Sequence, residues 1–220
     1  MKIKAVIFDL DGTLTDTLAD LTNSVNYALS QLGFPQRSAE EVRSFVGNGV
    51  RRLINLSVPF GTAEKICEEC LGVFKTHYEK NSCVKTKPYD GAIKVLETLK
   101  NKGIKTAVVT NKVHWAAEKI VRHFFDGLID VTVGQVDGLA QKPEPDGIFF
   151  VLEQLGIAKE NAVYVGDSEV DCITAHNAGM PCIGVAWGFR DREILKKNGA
   201  DYIISEPQEI LNCVYLSNNG

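Results

Sequence analysis

Ile3-Lys-Ala-Val-Ile-Phe-Asp9-Leu-Asp11-Gly12-Thr13-Leu-Thr-Asp16 opens the chain with an apolar run that ends abruptly in two carboxylates. Residues 3–8 are rich in Val and Ile and show little polar alternation, the pattern of a strand covered by helices on both faces. Asp9 and Asp11, two residues apart, project from a turn that Gly12 lets bend sharply. Comparable runs recur at 104–110, 162–165, 182–185 and 202–204, with a weaker one at 129–133. Between and after them lie helical patterns at 88–101, 113–124, 145–155, 170–178, 192–197 and 207–215. This alternation predicts an α/β fold built on a doubly wound parallel sheet.

Residues 16–82 break the alternation. They hold three helical patterns with no strand between them, separated by turn signals at Gly33-Phe34-Pro35 and Val58-Pro59-Phe60-Gly61. A crossover between parallel strands needs only about a dozen residues. The segment 16–82 is therefore expected to be a small helical cap domain, inserted after the first strand of a core made from 1–15 and 83–220. Linkers near 15–17 and 82–87 would let it open and close. The tail 216–220 is expected to fray.

Composition narrows the function. The 220 residues carry 24 Lys and Arg against 28 Asp and Glu, a formal charge of -4, with no basic run to track a nucleic-acid backbone. No apolar stretch approaches the roughly 20 residues that span a bilayer, and the apolar run near the start is too short for a signal-peptide core, so a cytoplasmic chain is expected. In such a chain the six cysteines are expected as free thiols. Cys67-Glu-Glu-Cys70 lacks a second ligand pair for zinc and reads as two small apolar residues on one helical face.

Ligands of open α/β sheets sit beyond the carboxyl ends of the strands, and four such positions carry chemistry. The first is the Asp9/Asp11 turn. The second is Thr110-Asn111-Lys112, and the third is Gln141-Lys142-Pro143-Glu144-Pro145 at a helix start. The fourth is Gly166-Asp167-Ser168-Glu169-Val170-Asp171. Any one carboxylate here would ordinarily cap a helix. Capping alone does not call for two aspartate pairs and a lysine at one sheet edge. Several acidic oxygens close together repel unless a cation joins them, and an all-oxygen site suits Mg2+.

The ordered set D-x-D-G-T, T-N, K-P and G-D-x-x-x-D resembles the haloacid dehalogenase superfamily of phosphohydrolases, over essentially the whole chain. The resemblance implies a Rossmann-like core with a helical cap after the first motif, Mg2+ as cofactor and a small phosphorylated metabolite as substrate. It implies Asp9 as nucleophile and Asp11 as general acid/base, with Asp9, Asp11 (through its main-chain carbonyl) and Asp167 as metal ligands and Asp171 in support. Thr110, with Asn111 beside it, and Lys142 would bind the phosphoryl oxygens.

Ser44-Phe-Val-Gly47-Asn48-Gly49-Val-Arg51-Arg52-Leu53 is similar to the V-G-N-G cap loop of phosphoglycolate phosphatases. In that reading Gly47, Asn48 and Gly49 approach the core and Arg51 or Arg52 binds an anionic substrate group; a plain helix connection with solvated arginines is the alternative. Trp187-Gly188-Phe189 either shapes a pocket rim or simply packs. A magnesium-dependent phosphate monoester hydrolase acting on phosphoglycolate is expected. A pyrophosphatase or other small-metabolite phosphatase of the same family, or a sugar phosphomutase, stands as the alternative.

Overall fold

The computed structural model describes residues 2–216. The expected fraying at 217–220 lies outside the described residues. In chain order the elements are β1 (Ala5–Phe8), β2 (Thr15–Asp16), α1 (Leu18–Gln31), α2 (Ala39–Phe45), α3 (Gly49–Ser57), α4 (Glu64–Asn81), β3 (Lys87–Pro88), α5 (Ala92–Asn101), β4 (Lys105–Val113), α6 (His114–Phe124), β5 (Val131–Gln135), α7 (Asp146–Leu155), β6 (Ala162–Gly166), α8 (Glu169–Asn177), β7 (Cys182–Val185), α9 (Arg192–Lys197), β8 (Tyr202–Ile204) and α10 (Glu209–Leu216). Six parallel strands form one sheet in the order β5-β4-β1-β6-β7-β8.

Consecutive residues of β1 feed two separate cores, because side chains alternate across a strand. Val6 and Phe8 pack with Leu96, Ile120, Val163 and Val214 on one face. Ala5 and Ile7 pack with Ile148, Tyr164, Cys172 and Leu195 on the other. Burial on both sides is why β1 shows no polar alternation. The chain winds outward from β1 to β5, then returns and winds the other way from β6 to β8. The strand order thus reverses beside β1, where α/β sheets open a crevice at their carboxyl ends.

Residues 18–81 form four helices, not the expected three. Gly47 and Gly49 take φ of 121° and 81°, a conformation that separates α2 from α3 within what reads as one apolar pattern. α1 to α4 close around Leu21, Val25, Leu29, Ile54, Phe74 and Tyr78, a third hydrophobic cluster that reaches the core through Ala116 of α6. Cys67 and Cys70 sit in this cluster, and among the described residues no two cysteines form a disulfide. Among the described residues no helix is long and apolar enough to cross a membrane.

The two connections to the insert are tied together. β2 and β3 pair antiparallel, Thr15 with Pro88 and Asp16 with Lys87. Beside them the buried Asp20 carboxylate accepts hydrogen bonds from the N–H groups of Val84, Lys85 and Thr86 at 2.8–3.0 Å, and from the Thr86 hydroxyl at 2.9 Å. Asp20→Ala leaves these donors without an acceptor. The substitution is expected to cost about 3 kcal/mol, which a shift of the urea unfolding midpoint at unchanged slope would register.

Candidate active site

The turn after β1 is wound tightly around one acceptor, the Leu10 carbonyl, which takes the N–H groups of Thr13, Leu14 and Thr15. Gly12 completes it at φ 88° with its α-carbon pressed against Asp167, where any side chain would overlap the carboxylate. This brings the ends of β1 and β6 into contact. Asp167 accepts from the Thr13 hydroxyl at 3.1 Å and the Phe189 N–H at 2.7 Å. Carboxylate oxygens of Asp9, Asp167 and Asp171 all lie within 4.8 Å of one another.

Lys142 reaches this cluster from the loop before α7. Its ammonium lies 2.7 Å from Asp171 Oδ1, 3.0 Å from the Tyr164 hydroxyl and 2.9 Å from Asp9 Oδ1. The last approach is a charge contact only: no donor is aligned on Asp9 Oδ1, which is buried without a hydrogen bond. Burial pushes the Asp9 carboxyl up to about 6, against the pull of Lys142, with Asp171 and Asp11 adding repulsion. Asp167 is raised well above the usual carboxylate range by burial, then by Asp171 and Asp9. For Lys142 burial acts downward, but Asp171 and Asp9 outweigh it and hold the ammonium well above its ordinary range.

Asp171 is both a helix cap and a site residue. Its Oδ2 accepts from the Ser168 N–H and hydroxyl in a capping box that starts α8, while Oδ1 takes Lys142 and Tyr164. Both oxygens are satisfied, so its place is that of a support.

The second strand end is built differently from the expectation. β4 runs on to Val113, and its register against β5 shifts between Val109 and Val113, so residues 110–112 bulge toward the crevice. Thr110 lines the cleft. Asn111 does not offer its amide to the cleft. It donates to the carbonyls of Lys142 (2.9 Å) and Gly47 (3.0 Å) and accepts from the Lys142 N–H (2.9 Å). It therefore positions the Lys142 loop and grips the insert. Lys112 is buried and bonded to both oxygens of Asp11, at 2.9 and 3.0 Å, while Thr17 donates to Asp11 Oδ1 at 2.7 Å.

The insert roofs the crevice, leaving a cavity of about 60 Å³. Gly47 and Gly49 line it, but Asn48 is not among its lining residues. Arg51 and Arg52 are exposed on the outer side of α3, Arg51 paired with Glu68, because Leu53, Ile54 and Ser57 take its inner face. Arg190 lines the cavity in their stead, paired with Glu169 at 3.1 Å and donating to the carbonyls of Arg43 (3.0 Å) and Val46 (2.8 Å). Arg43 returns the contact, to the Phe189 carbonyl at 3.0 Å and the Gly188 carbonyl. Phe189 reaches the cavity, while Trp187 donates to the Thr13 carbonyl at 3.1 Å. Arg190 and Lys112 had a signal in sequence, as they follow β7 and Thr110-Asn111 at the same sheet edge.

Comparison with known proteins finds relatives over nearly the whole chain. A family model described as haloacid dehalogenase-like hydrolase matches residues 6–185. The chain is 33% identical to the phosphoglycolate phosphatase of Aquifex aeolicus, over 95% of each chain. It is 37% identical to the "Putative pyrophosphatase PpaX" of Caldanaerobacter subterraneus subsp. tengcongensis, over 97% of this chain and 96% of that one. The crystal structure of a predicted phosphoglycolate phosphatase from Haemophilus somnus superposes with a TM-score of 0.91 at 29% identity, covering 97% and 98% of the two chains.

Proposed function

Since the chain belongs to the haloacid dehalogenase-like hydrolases and is a phosphohydrolase of that family, we propose that it is a Mg2+-dependent phosphate monoester hydrolase that uses Asp9 as nucleophile, with 2-phosphoglycolate as substrate. The observation that carries this reading is the buried Asp9 Oδ1, without a hydrogen bond, in a cluster of carboxylates at the switch point of the sheet. The charges fit a divalent ion: among the described residues the four carboxyl groups of Asp9, Asp11, Asp167 and Asp171 are paired with two cations, Lys112 and Lys142, so with all four ionised two negative charges call for a further positive one. All available donors are oxygens, the set Mg2+ prefers. Asp9 and Asp167, with the Asp11 main-chain carbonyl, would hold it. When bound, the ion supplies the positive charge that lets a carboxylate approach a phosphate.

Asp9 attacks phosphorus as the ester bond breaks, and Asp11 gives a proton to the departing oxygen. Water then attacks the aspartyl-phosphate, Asp11 takes its proton, and phosphate leaves with Asp9 restored. Lys142 and Thr110 bind the equatorial oxygens as charge spreads over them in the transition state. Asn111 keeps the Lys142 loop in register. The insert acts as a cap that excludes water, held shut by the Arg43 and Arg190 contacts and hinged at the β2–β3 pair.

The test is phosphate release from 2-phosphoglycolate, pyrophosphate, sugar phosphates and nucleotides, with Mg2+ and then with EDTA. Metal-dependent release highest from 2-phosphoglycolate is expected. A preference for pyrophosphate would keep the chemistry and replace the substrate, in line with the second relative above. Release undiminished by EDTA would remove the metal.

A further inference from the structure

The roof over the cleft is apolar but for one group. Leu21, Val46, Val50, Leu53 and Phe74 line it, and among them Tyr78 of α4 is buried with its hydroxyl lacking an aligned hydrogen-bond partner. The nearest charge to it is the Lys112 ammonium, which acts on the hydroxyl without an aligned hydrogen bond between them, and an unpaired buried hydroxyl is costly, so a bound group that completes the pair is favoured. Beside it stands Lys112, its ammonium 4.8 Å from the centre of the Tyr78 ring. A lysine ammonium has three N–H donors. The two Asp11 oxygens engage it on one side, and the Tyr78 hydroxyl lies near it with no aligned hydrogen bond between them.

These groups lie where the leaving side of a substrate must be. The transferred phosphoryl group belongs beside Asp9, Thr110 and Lys142. Because Asp11 protonates the departing oxygen, the rest of the substrate extends from Asp11 toward the insert, past Lys112 and under Tyr78. The cavity has room only for a small leaving group.

We propose that Lys112 and Tyr78 form a specificity pocket for a negatively charged group, a carboxylate or a second phosphate, carried on the leaving side of the substrate. This rests on the phosphatase reading and narrows it to small phosphate compounds with an anionic leaving group. 2-Phosphoglycolate and pyrophosphate both meet that condition, and a simple alkyl phosphate does not.

The experiment compares kcat/KM for 2-phosphoglycolate with that for ethyl phosphate, which is of similar size but has a neutral leaving group. Wild-type protein, Tyr78→Phe, Lys112→Gln and Lys112→Arg are measured with Mg2+. The wild type is expected to prefer 2-phosphoglycolate by about 100-fold, the effect of hydrogen bonds to a charged group. Tyr78→Phe is expected to lower that ratio about tenfold, mainly through KM. Lys112→Gln should abolish the preference and Lys112→Arg should restore part of it. Equal losses on both substrates would mean that Lys112 acts only by holding Asp11, and would overturn the pocket. So would an unchanged ratio in Tyr78→Phe, which keeps the buried ring and hence the fold. A wild type that hydrolyses ethyl phosphate equally well overturns the pocket but keeps the phosphatase; one that releases phosphate from no substrate overturns both.

Discussion

Asp9→Asn is expected to reduce phosphate release by about 10⁴-fold or more, while the protein stays folded. The amide has the carboxylate's shape but cannot form the acyl-phosphate bond, so no step of the reaction survives it. Stability should not fall. Asp9 sits buried near Asp11, Asp167 and Asp171; asparagine loses the 2.9 Å charge contact of Oδ1 with Lys142, but burial and the repulsion from Asp171 and Asp11 outweigh that contact and already push the carboxyl up to about 6. Removing the charge relieves repulsion that burial makes severe. The measurement is turnover of 2-phosphoglycolate beside a thermal unfolding scan. Activity within tenfold of wild type would remove Asp9 as the nucleophile, and a large drop in Tm would show that the carboxylate is structural.

The parts of this site that the sequence displays are those set by local rules. β1, β6 and β7 read plainly because both faces are buried, so the apolar runs end where the backbone leaves the sheet. Asp9, Asp167 and Lys142 follow from reading what comes after each strand. What depends on long-range contact is hidden. Asp20 looks like any acidic residue in a first turn, yet it binds a linker 64 to 66 residues away. Thr110-Asn111-Lys112 reads as a strand end that offers Thr110 and Asn111 to a phosphoryl group, whereas the bulge turns Asn111 toward the Lys142 loop and Lys112 toward Asp11. Arg51 and Arg52 illustrate the opposite error. A glycine-rich loop drew them toward the substrate, but the apolar positions of α3 at Leu53 and Ile54 already place the arginines on the solvent side.

Lys142→Ala is expected to lower kcat about 10²- to 10³-fold, the usual loss of about 2.7–4 kcal/mol when a donor to developing charge is removed. Unlike Asp9→Asn it should also destabilise the fold. Lys142 is the only cation bonded to Asp171 among the described residues, and both groups are buried. Deleting one partner of such a pair leaves an uncompensated charge, at a cost of about 3–5 kcal/mol. Loss of activity alone would therefore not distinguish a phosphoryl-binding lysine from one that merely holds Asp171 in place. The double variant Lys142→Ala/Asp171→Asn separates them. Neutralising Asp171 removes the stranded charge, so the unfolding midpoint should recover most of the loss. If Lys142 binds the phosphoryl oxygens, kcat stays low despite that recovery, because the donor is still missing where charge develops. Recovery of kcat together with stability would make Lys142 a structural counterion, and Thr110 with the metal would then have to carry the transition-state charge.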